Sequence, residues 1–436
     1  MDPPTRHRYA PMPMSVSVIR QRRDSGSRAR RARSLTICQV WDGEYPWDVR
    51  VEKISRALTE AGHTVHLVAR NRRDDAEIER LPEAIVHRLA AWRWVPRRLN
   101  AASMFPAFFN PRWIGAIRRT ARKVRADVIL CRDLPLAIPA VLAGRRLRIP
   151  VILDMAENYP AMLRSQWDAG PMRPADLLVR NPSLARMVER WVLRRVDNVL
   201  VVVEESRARL IAEGVTPERV AVVSNTPPRE RIVDSEQSER ATSTPLQIVY
   251  LGLMEGVRGV PVLIDAAAQL ARQGVPFRLT MYGDGKDLPR FRARARALGL
   301  TESVVEFRGR VPNAEAIASL PSMDVGVIPH VADESWHTTV PNKLFDYMAA
   351  GLAVVTSDAR PAARIVRETG AGLVYPHTDA SELARALKAL ADPGLRRECA
   401  RRGQWAVRHT YHWERDVERL LGIVQRAAAG AGKRRS

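Results

Sequence analysis

Val340-Pro341-Asn342-Lys343-Leu344-Phe345-Asp346-Tyr347-Met348-Ala349-Ala350-Gly351, continued by Leu352-Ala353-Val354-Val355-Thr356-Ser357, is the stretch that decides how this chain is read. Pro341 suits the first turn of a helix, and Leu344, Phe345 and Met348 recur at helical spacing. Gly351 stands where a helix C-cap wants a residue free to take positive φ. The run Leu352 to Val355 has the length and β-branched content of a buried parallel strand, closed by Thr356-Ser357-Asp358. The segment is a helix followed by a strand, one unit of a doubly wound α/β domain. Its single carboxylate, Asp346, has two readings: an acid on the wetter face of the helix, or an acceptor for a ribose diol beside a helix N-terminus that faces a diphosphate.

Upstream of this unit the same alternation predicts a strand at Leu246 to Leu251, a helix over Val260 to Gln273 and a strand at Phe277 to Tyr282. A helix over Asp287 to Leu298, a strand at Val304 to Phe307, a helix over Ala314 to Leu320 and a strand at Val325 to Pro329 follow. Downstream, helices are expected at Ser381 to Ala391, Gly394 to His409 and Trp413 to Ala427. A first alternation occupies the N-terminal half. Leu35 to Val40 reads as a buried strand, Asp48 caps a helix carrying Val51, Ile54, Leu58 and Ala61, and Thr64 to Val68 is the next strand. Further strands read at Val128 to Cys131, Val151 to Asp154, Val199 to Val203 and Val220 to Val223. Residues 226–245, rich in Pro, Ser, Thr, Arg and Glu, connect the halves. The chain is read as two Rossmann-like domains.

Its 436 residues suit two such domains with tails. Three cysteines, Cys38, Cys131 and Cys399, have neither metal-like spacing nor a disulfide framework, which points to a reducing, cytoplasmic compartment. No apolar run is long enough to span a bilayer, and the basic N-terminus lacks a secretory pattern. The formal charge of +22 raises nucleic acid or an anionic surface as a partner. Part of it lies in residues 1–33, where nine arginines face Asp2 and Asp24, and in Lys433-Arg434-Arg435; both are expected to be disordered basic tails. The remainder is spread over the chain without a helix-turn-helix, zinc-finger or RNA-binding signature, so no nucleic acid is expected.

The order of residues in the opening stretch resembles the donor-nucleotide segment of the retaining, two-domain glycosyltransferases of the GT-B fold, in particular family four. Gly252-Leu253-Met254-Glu255-Gly256-Val257-Arg258-Gly259 resembles the Gly-Arg-x-x-x-x-Lys-Gly loop of that family, with Arg258 in place of the phosphate-binding lysine and Leu253 in place of an arginine. Tyr282-Gly283-Asp284-Gly285 and Phe307-Arg308-Gly309-Arg310-Val311 follow in the family's order, the second expected against the nucleobase. Departures are Thr338, where family members carry a glutamate eight residues before the ribose acid, and Ala156, which replaces the histidine of an Asp-x-His-Glu segment in Asp154-Met155-Ala156-Glu157.

The resemblance implies an acceptor domain over 34–225, a linker over 226–245 and a donor domain over 246–405. A C-terminal helix over 406–427 crosses back to the first domain, and a basic tail covers 428–436. It implies donor-binding roles for Gly43, Arg258, Gly259, Gly283, Arg308, Thr338, Thr339, Asn342, Lys343 and Asp346. Glu157, Asp133 and His337 are the catalytic candidates, with Glu334 a possible substitute for the missing glutamate. Arg132 and Asp133 could equally pair with each other. With no Asp-x-Asp dipeptide and no His/Cys cluster, neither a metal nor a resident cofactor is expected, and the donor is a nucleotide-diphosphate sugar. The implied reaction moves a sugar, with retention, to a carbohydrate or lipid-linked hydroxyl in polysaccharide, glycolipid or cell-envelope glycan synthesis. A nucleotide-sugar 2-epimerase of the same fold, a basic nucleic-acid-binding protein and a non-catalytic relative are the alternatives. Residues 92–125 mix Trp92, Trp94, Met104, Phe105, Phe108, Phe109, Trp113 and Ile114 with arginines, which reads either as a surface for an anionic membrane or as aromatics packed under their own helix.

Overall fold

The computed structural model describes residues 33–46, 48–71, 73–89, 107–168, 180–233 and 245–435. The expected N-terminal tail almost wholly, most of the linker, and Trp92, Trp94, Met104 and Phe105 lie outside those residues; the expected disordered C-terminal tail does not, since 428–435 continue the last helix, carried on by the helix-favouring Ala427, Ala428 and Ala429. From Leu35 onward the chain forms one compact unit with two sheets. The first contains β1 (Thr36–Val40), β2 (Thr64–Ala69), β3 (Ile78–Arg80), β4 (Ile85–Arg88), β5 (Val128–Arg132), β6 (Val151–Met155), β7 (Asn198–Val201) and β8 (Val220–Val222), in the order β3-β4-β2-β1-β5-β6-β7-β8. Its pairings are parallel except for β3 against β4. The second contains β9 (Leu246–Leu251), β10 (Phe277–Tyr282), β11 (Val305–Gly309), β12 (Val325–Ile328), β13 (Ala353–Ser357) and β14 (Gly372–Tyr375), in the order β11-β10-β9-β12-β13-β14, all parallel.

Both faces of each sheet are buried, which is why the strands read as continuous apolar runs. Along β5, Ile129 and Cys131 enter one core, while Val128 and Leu130 enter the other beside Val51, Ile54 and Leu58 of the helix Val49–Glu60. Asp48 starts that helix by accepting from the backbone N–H groups of Arg50 and Val51 at 2.9 Å each. In the second domain the helix Lys343–Ala349 buries Leu344, Phe345, Tyr347 and Met348 against β12 and β13. The helix Pro393–His409 packs on it and on β13. A break at residues 410–412 follows, and Trp413–Arg435 runs back over the first sheet, burying Leu420, Ile423 and Val424 with Ile37, Leu67, Ile152 and Leu200.

The α/β reading with a returning helix therefore stands, while three elements were not foreseen. The β3–β4 hairpin is short and partly exposed at the sheet edge. The helix Arg360–Thr369 and β14 follow the opening segment, and β14 is an edge strand only partly buried, so it carries no unbroken apolar run. In the 92–125 segment, Trp113, Phe108 and Ile117 belong to the first-domain core under the helix Pro111–Lys123. Phe109 is 57% exposed, and Arg118, Arg119, Arg122 and Lys123 occupy the helix's outer face.

In each sheet the strand order reverses once, between β1 and β5 and between β9 and β12, and crevices outside such switch points are where α/β proteins bind ligands. The loops leaving both switch points face one cleft.

Candidate functional site

The cleft has a volume of about 680 Å³. The first domain lines it with Asp48, Arg50, Arg132, Glu157, Met162, Ser165 and others; the second contributes the loop after β9, the loop after β12 and the start of the helix Lys343–Ala349.

On the second-domain wall the turn after β9 carries Arg258. Its guanidinium donates from Nη1 to His330 Nε2 at 3.3 Å and lies 4.9 Å from the centre of the Trp336 ring, which itself packs on His330 at 4.0 Å. His330 is buried, and burial with the neighbouring charges of Lys343 and Arg258 holds it well below its ordinary pKa, so it accepts as a neutral imidazole. Lys343 Nζ sits 4.6 Å over the Tyr250 ring and against Gly252. Burial, and then the charge of Arg258, lower its pKa to about 7 against the pull of Asp346. Among the described residues neither Arg258 nor Lys343 has a salt bridge, so two cations face the cleft without a paired carboxylate.

Asp346, one helical turn beyond Lys343, also lines the cleft. Burial raises its pKa to about 6, opposed by Arg231, Lys53 and Lys343. Lys53 comes from the first domain: its ammonium donates to Thr226 O at 2.6 Å and covers the Trp413 ring at 4.1 Å, where the returning helix begins. Burial lowers its pKa to about 7, although Asp346 and Asp416 favour its charge.

The first-domain wall is an ion-pair lattice. Arg50 donates from Nε to both oxygens of Asp154 at 2.9 Å and from Nη2 to Oδ1 at 2.6 Å, with both side chains almost fully buried. Arg132 pairs with Asp133 at 2.6 Å and approaches Asp48 at 3.7 Å. Asp133 takes φ of +60° and accepts from Ala156 N at 3.3 Å. Burial raises its pKa to about 7; Arg132 opposes this and Glu157, Asp154 and Asp48 add to it. Glu157 is exposed to the cleft.

Of the residues singled out from sequence, the structure brings Glu157, Arg258, Thr339, Asn342, Lys343 and Asp346 onto the cleft. It puts others elsewhere. Asp133 sits behind the wall, paired with Arg132, the second of the two readings given for it. His337 accepts from Arg360 N at 3.3 Å, at the start of the next helix, and does not line the cleft. Thr338 is buried and turns its hydroxyl to Glu334 O and Ser335 O at 3.1 Å, inside its own loop. Arg308 pairs with Glu306 at 2.9 Å on the exposed end of β11. A Cβ on Gly259, which has φ of +70°, would stand 1.5 Å from Pro329 O, so the packing of the β9 and β12 loops alone requires this glycine. Gly283 packs on Gly252 O and Gly43 on the Trp41 ring, neither lining the cleft. Sequence reasoning missed Trp336, His330, Asp333, Arg50, Lys53 and Arg231. Their letters fall in loops and on a helix with no spacing that distinguishes them from surface residues.

Two doubly wound domains joined by a returning helix around a cleft define the GT-B class of architecture. Residues 245–392 match the family described as glycosyl transferases group 1, and residues 48–226 match the glycosyl transferase 4-like domain. Together these cover most of the chain, and both halves resemble glycosyltransferase domains of the GT-B fold. A colanic acid biosynthesis glycosyltransferase, WcaL, of Escherichia coli is 29% identical over 54% of this chain and 58% of its own length, so the chain spans little more than half of that relative. The 2-deoxystreptamine glucosyltransferase of Streptomyces kanamyceticus is 26% identical over 79% of this chain and 89% of its own. Among solved structures, sucrose-phosphate synthase from Thermosynechococcus elongatus superposes with a TM-score of 0.71 at 19% identity, covering 91% of this chain and all of that one. Anabaena HepE in complex with UDP does so at 0.64 and 15%, covering 92% and 100%. At these identities both structures speak for the fold.

Proposed function

We propose that the protein transfers a sugar from a nucleotide-diphosphate sugar to an acceptor hydroxyl, with retention at the anomeric carbon, in the synthesis of a polysaccharide, glycolipid or cell-envelope glycan. The observation that carries this reading is the pair of cations, Arg258 and Lys343, facing the cleft without salt bridges beside the carboxylate of Asp346. A diphosphate would lie between the cations, and Asp346, ionised above about pH 6, would accept from the ribose hydroxyls. As the bond from the anomeric carbon to the diphosphate breaks, its electron pair moves to the phosphate oxygen. Arg258 and Lys343 stabilise that charge from positions set before the reaction. The acceptor hydroxyl attacks on the face the diphosphate leaves, forming the new glycosidic bond as its proton passes to the departing phosphate oxygen. Glu157, exposed on the opposite wall, would orient it. The reading assigns no metal and no resident cofactor. Anabaena HepE has been solved in complex with UDP and with UDP-glucose, which supports a nucleotide donor, and the named relatives support a glycan or glycoside product.

The experiment is a thermal-shift series with nucleoside diphosphates and nucleotide sugars, followed by anomeric assignment of any product by NMR. A shift with none of them would overturn the donor reading, and an inverted anomer would overturn retention.

A cytoplasmic location with peripheral contact to anionic membrane belongs to the same proposal. Among the described residues no helix is long and apolar enough to cross a bilayer. Exposed Phe109 beside the basic outer face of the helix Pro111–Lys123 supports the contact. Liposome co-sedimentation that ignores anionic lipid content would count against it.

A further inference from the structure

The loop between β12 and the helix Lys343–Ala349 is fastened at both ends of its reach. Toward the second domain, Val331 N donates to Val257 O at 3.4 Å, joining the loop's start to the turn that bears Arg258. Trp336 then packs on Arg258 and on buried His330. Arg258 is thus held by a neutral imidazole and an aromatic face, two partners that fix a guanidinium without cancelling its charge. Toward the first domain, three contacts bind the same loop: Ser165 Oγ donates to Asp333 Oδ2 at 2.8 Å, the Ser206 hydroxyl donates to Thr338 O, and the Thr339 hydroxyl donates to Ala156 O at 3.3 Å.

One side chain serves both directions. Asp333 Oδ1 accepts from Trp336 N at 2.9 Å, fixing the turn that presents the indole, while Oδ2 receives the hydroxyl of Ser165 from the helix Tyr159–Asp168 across the cleft. We propose that Asp333 is a positioning residue that couples the first domain to the diphosphate-binding cation: it sets Trp336 over Arg258 only while Ser165 is seated on it. This rests on the diphosphate reading of the cleft given above. An ordinary loop cap would affect stability and leave nucleotide affinity alone. A coupling residue changes affinity through both of its hydrogen bonds.

The test titrates the full chain calorimetrically with uridine, guanosine, adenosine and thymidine diphosphates, recording melting temperature in parallel. With the diphosphate that binds the wild type best, Asp333→Ala should weaken affinity roughly tenfold or more, the cost of losing hydrogen bonds to a charged group. Asp333→Asn keeps an oxygen for Trp336 N and an amide that can donate to Ser165, and should recover affinity to within about threefold. Ser165→Ala removes the cross-cleft arm alone and should give an intermediate loss at an unchanged melting temperature. Wild-type affinity in Asp333→Ala, or in Ser165→Ala, overturns the coupling. So does Asp333→Asn as weak as Asp333→Ala, since charge and not hydrogen-bond geometry would then be at work. Failure of the wild type to bind any of the four diphosphates overturns the donor reading itself, an outcome distinct from the others.

Discussion

Nucleotide-sugar affinity should fall as pH rises above neutrality, and Lys343 should be the reason. In the free protein, burial and Arg258 depress its pKa to about 7. A diphosphate placed beside it brings negative charge and raises that pKa, so binding between the free and bound values takes up a proton. Affinity then drops by about one power of ten per pH unit, because every complex formed must first recharge the amine. Below about pH 7 the ammonium is present in both states and nothing more is gained. At the acidic side Asp346, raised to about 6, begins to protonate and its ability to accept from a ribose diol declines. The two sites together place the optimum between about pH 6 and 7, with up to roughly a hundredfold loss by about pH 9. The assay is calorimetric titration with a nucleotide sugar, whose diphosphate lacks the terminal phosphate that titrates near pH 6. Repeating it in buffers of different ionisation enthalpy counts the net protons taken up, which should cross zero at about pH 6.5, where release from Asp346 balances uptake by Lys343, and rise toward about one at pH 8. Lys343→Met should bind roughly tenfold or more weakly at neutral pH but lose the alkaline slope. Wild-type affinity that is flat from about pH 7 to 9, or a Lys343→Met variant that keeps the slope, would refute the reasoning.

Asp346→Ala should weaken nucleotide binding by roughly a hundredfold, two hydrogen bonds to a charged acceptor being lost; unchanged affinity in the same titration would remove Asp346 from the site. Arg50→Met leaves buried Asp154 with only the more distant Arg132, at 3.9 Å, and should destabilise the fold by about 3 kcal/mol in urea denaturation, with Arg50→Met/Asp154→Leu recovering part of the loss. Thr338→Val should cost about 1 kcal/mol of stability and leave donor affinity within about twofold, since that hydroxyl is spent on its own loop. A large loss of affinity there would restore Thr338 to the binding site.

The strands of the second domain were readable to within a residue or two because burial on both faces imposes unbroken apolar runs, and Asp48 announced its helix because a capping carboxylate sits immediately before the periodic pattern. β14 and the β3–β4 hairpin escaped because they lie at sheet edges, where partial burial imposes no unbroken apolar run. Within the site, Arg258 and Asp346 were found from motif order. His337 and Thr338 sat in the right loop, but its hydrogen-bonded backbone turns direct their polar atoms to Arg360 N and to the loop's own carbonyls.

What the sequence determined by itself was therefore the alternation of strands and helices and the loops that close them, since hydrophobic period, caps and turn residues act over a few positions. The tertiary structure alone decided which charges meet. Arg50 finds Asp154 across 104 residues, Asp333 finds Ser165 across 168, and Lys53 of one domain comes within the field of Asp346 in the other. Desolvation and Coulomb attraction depend on spatial neighbours, so the same letters would be solvated surface in another fold and here form two walls of one cleft.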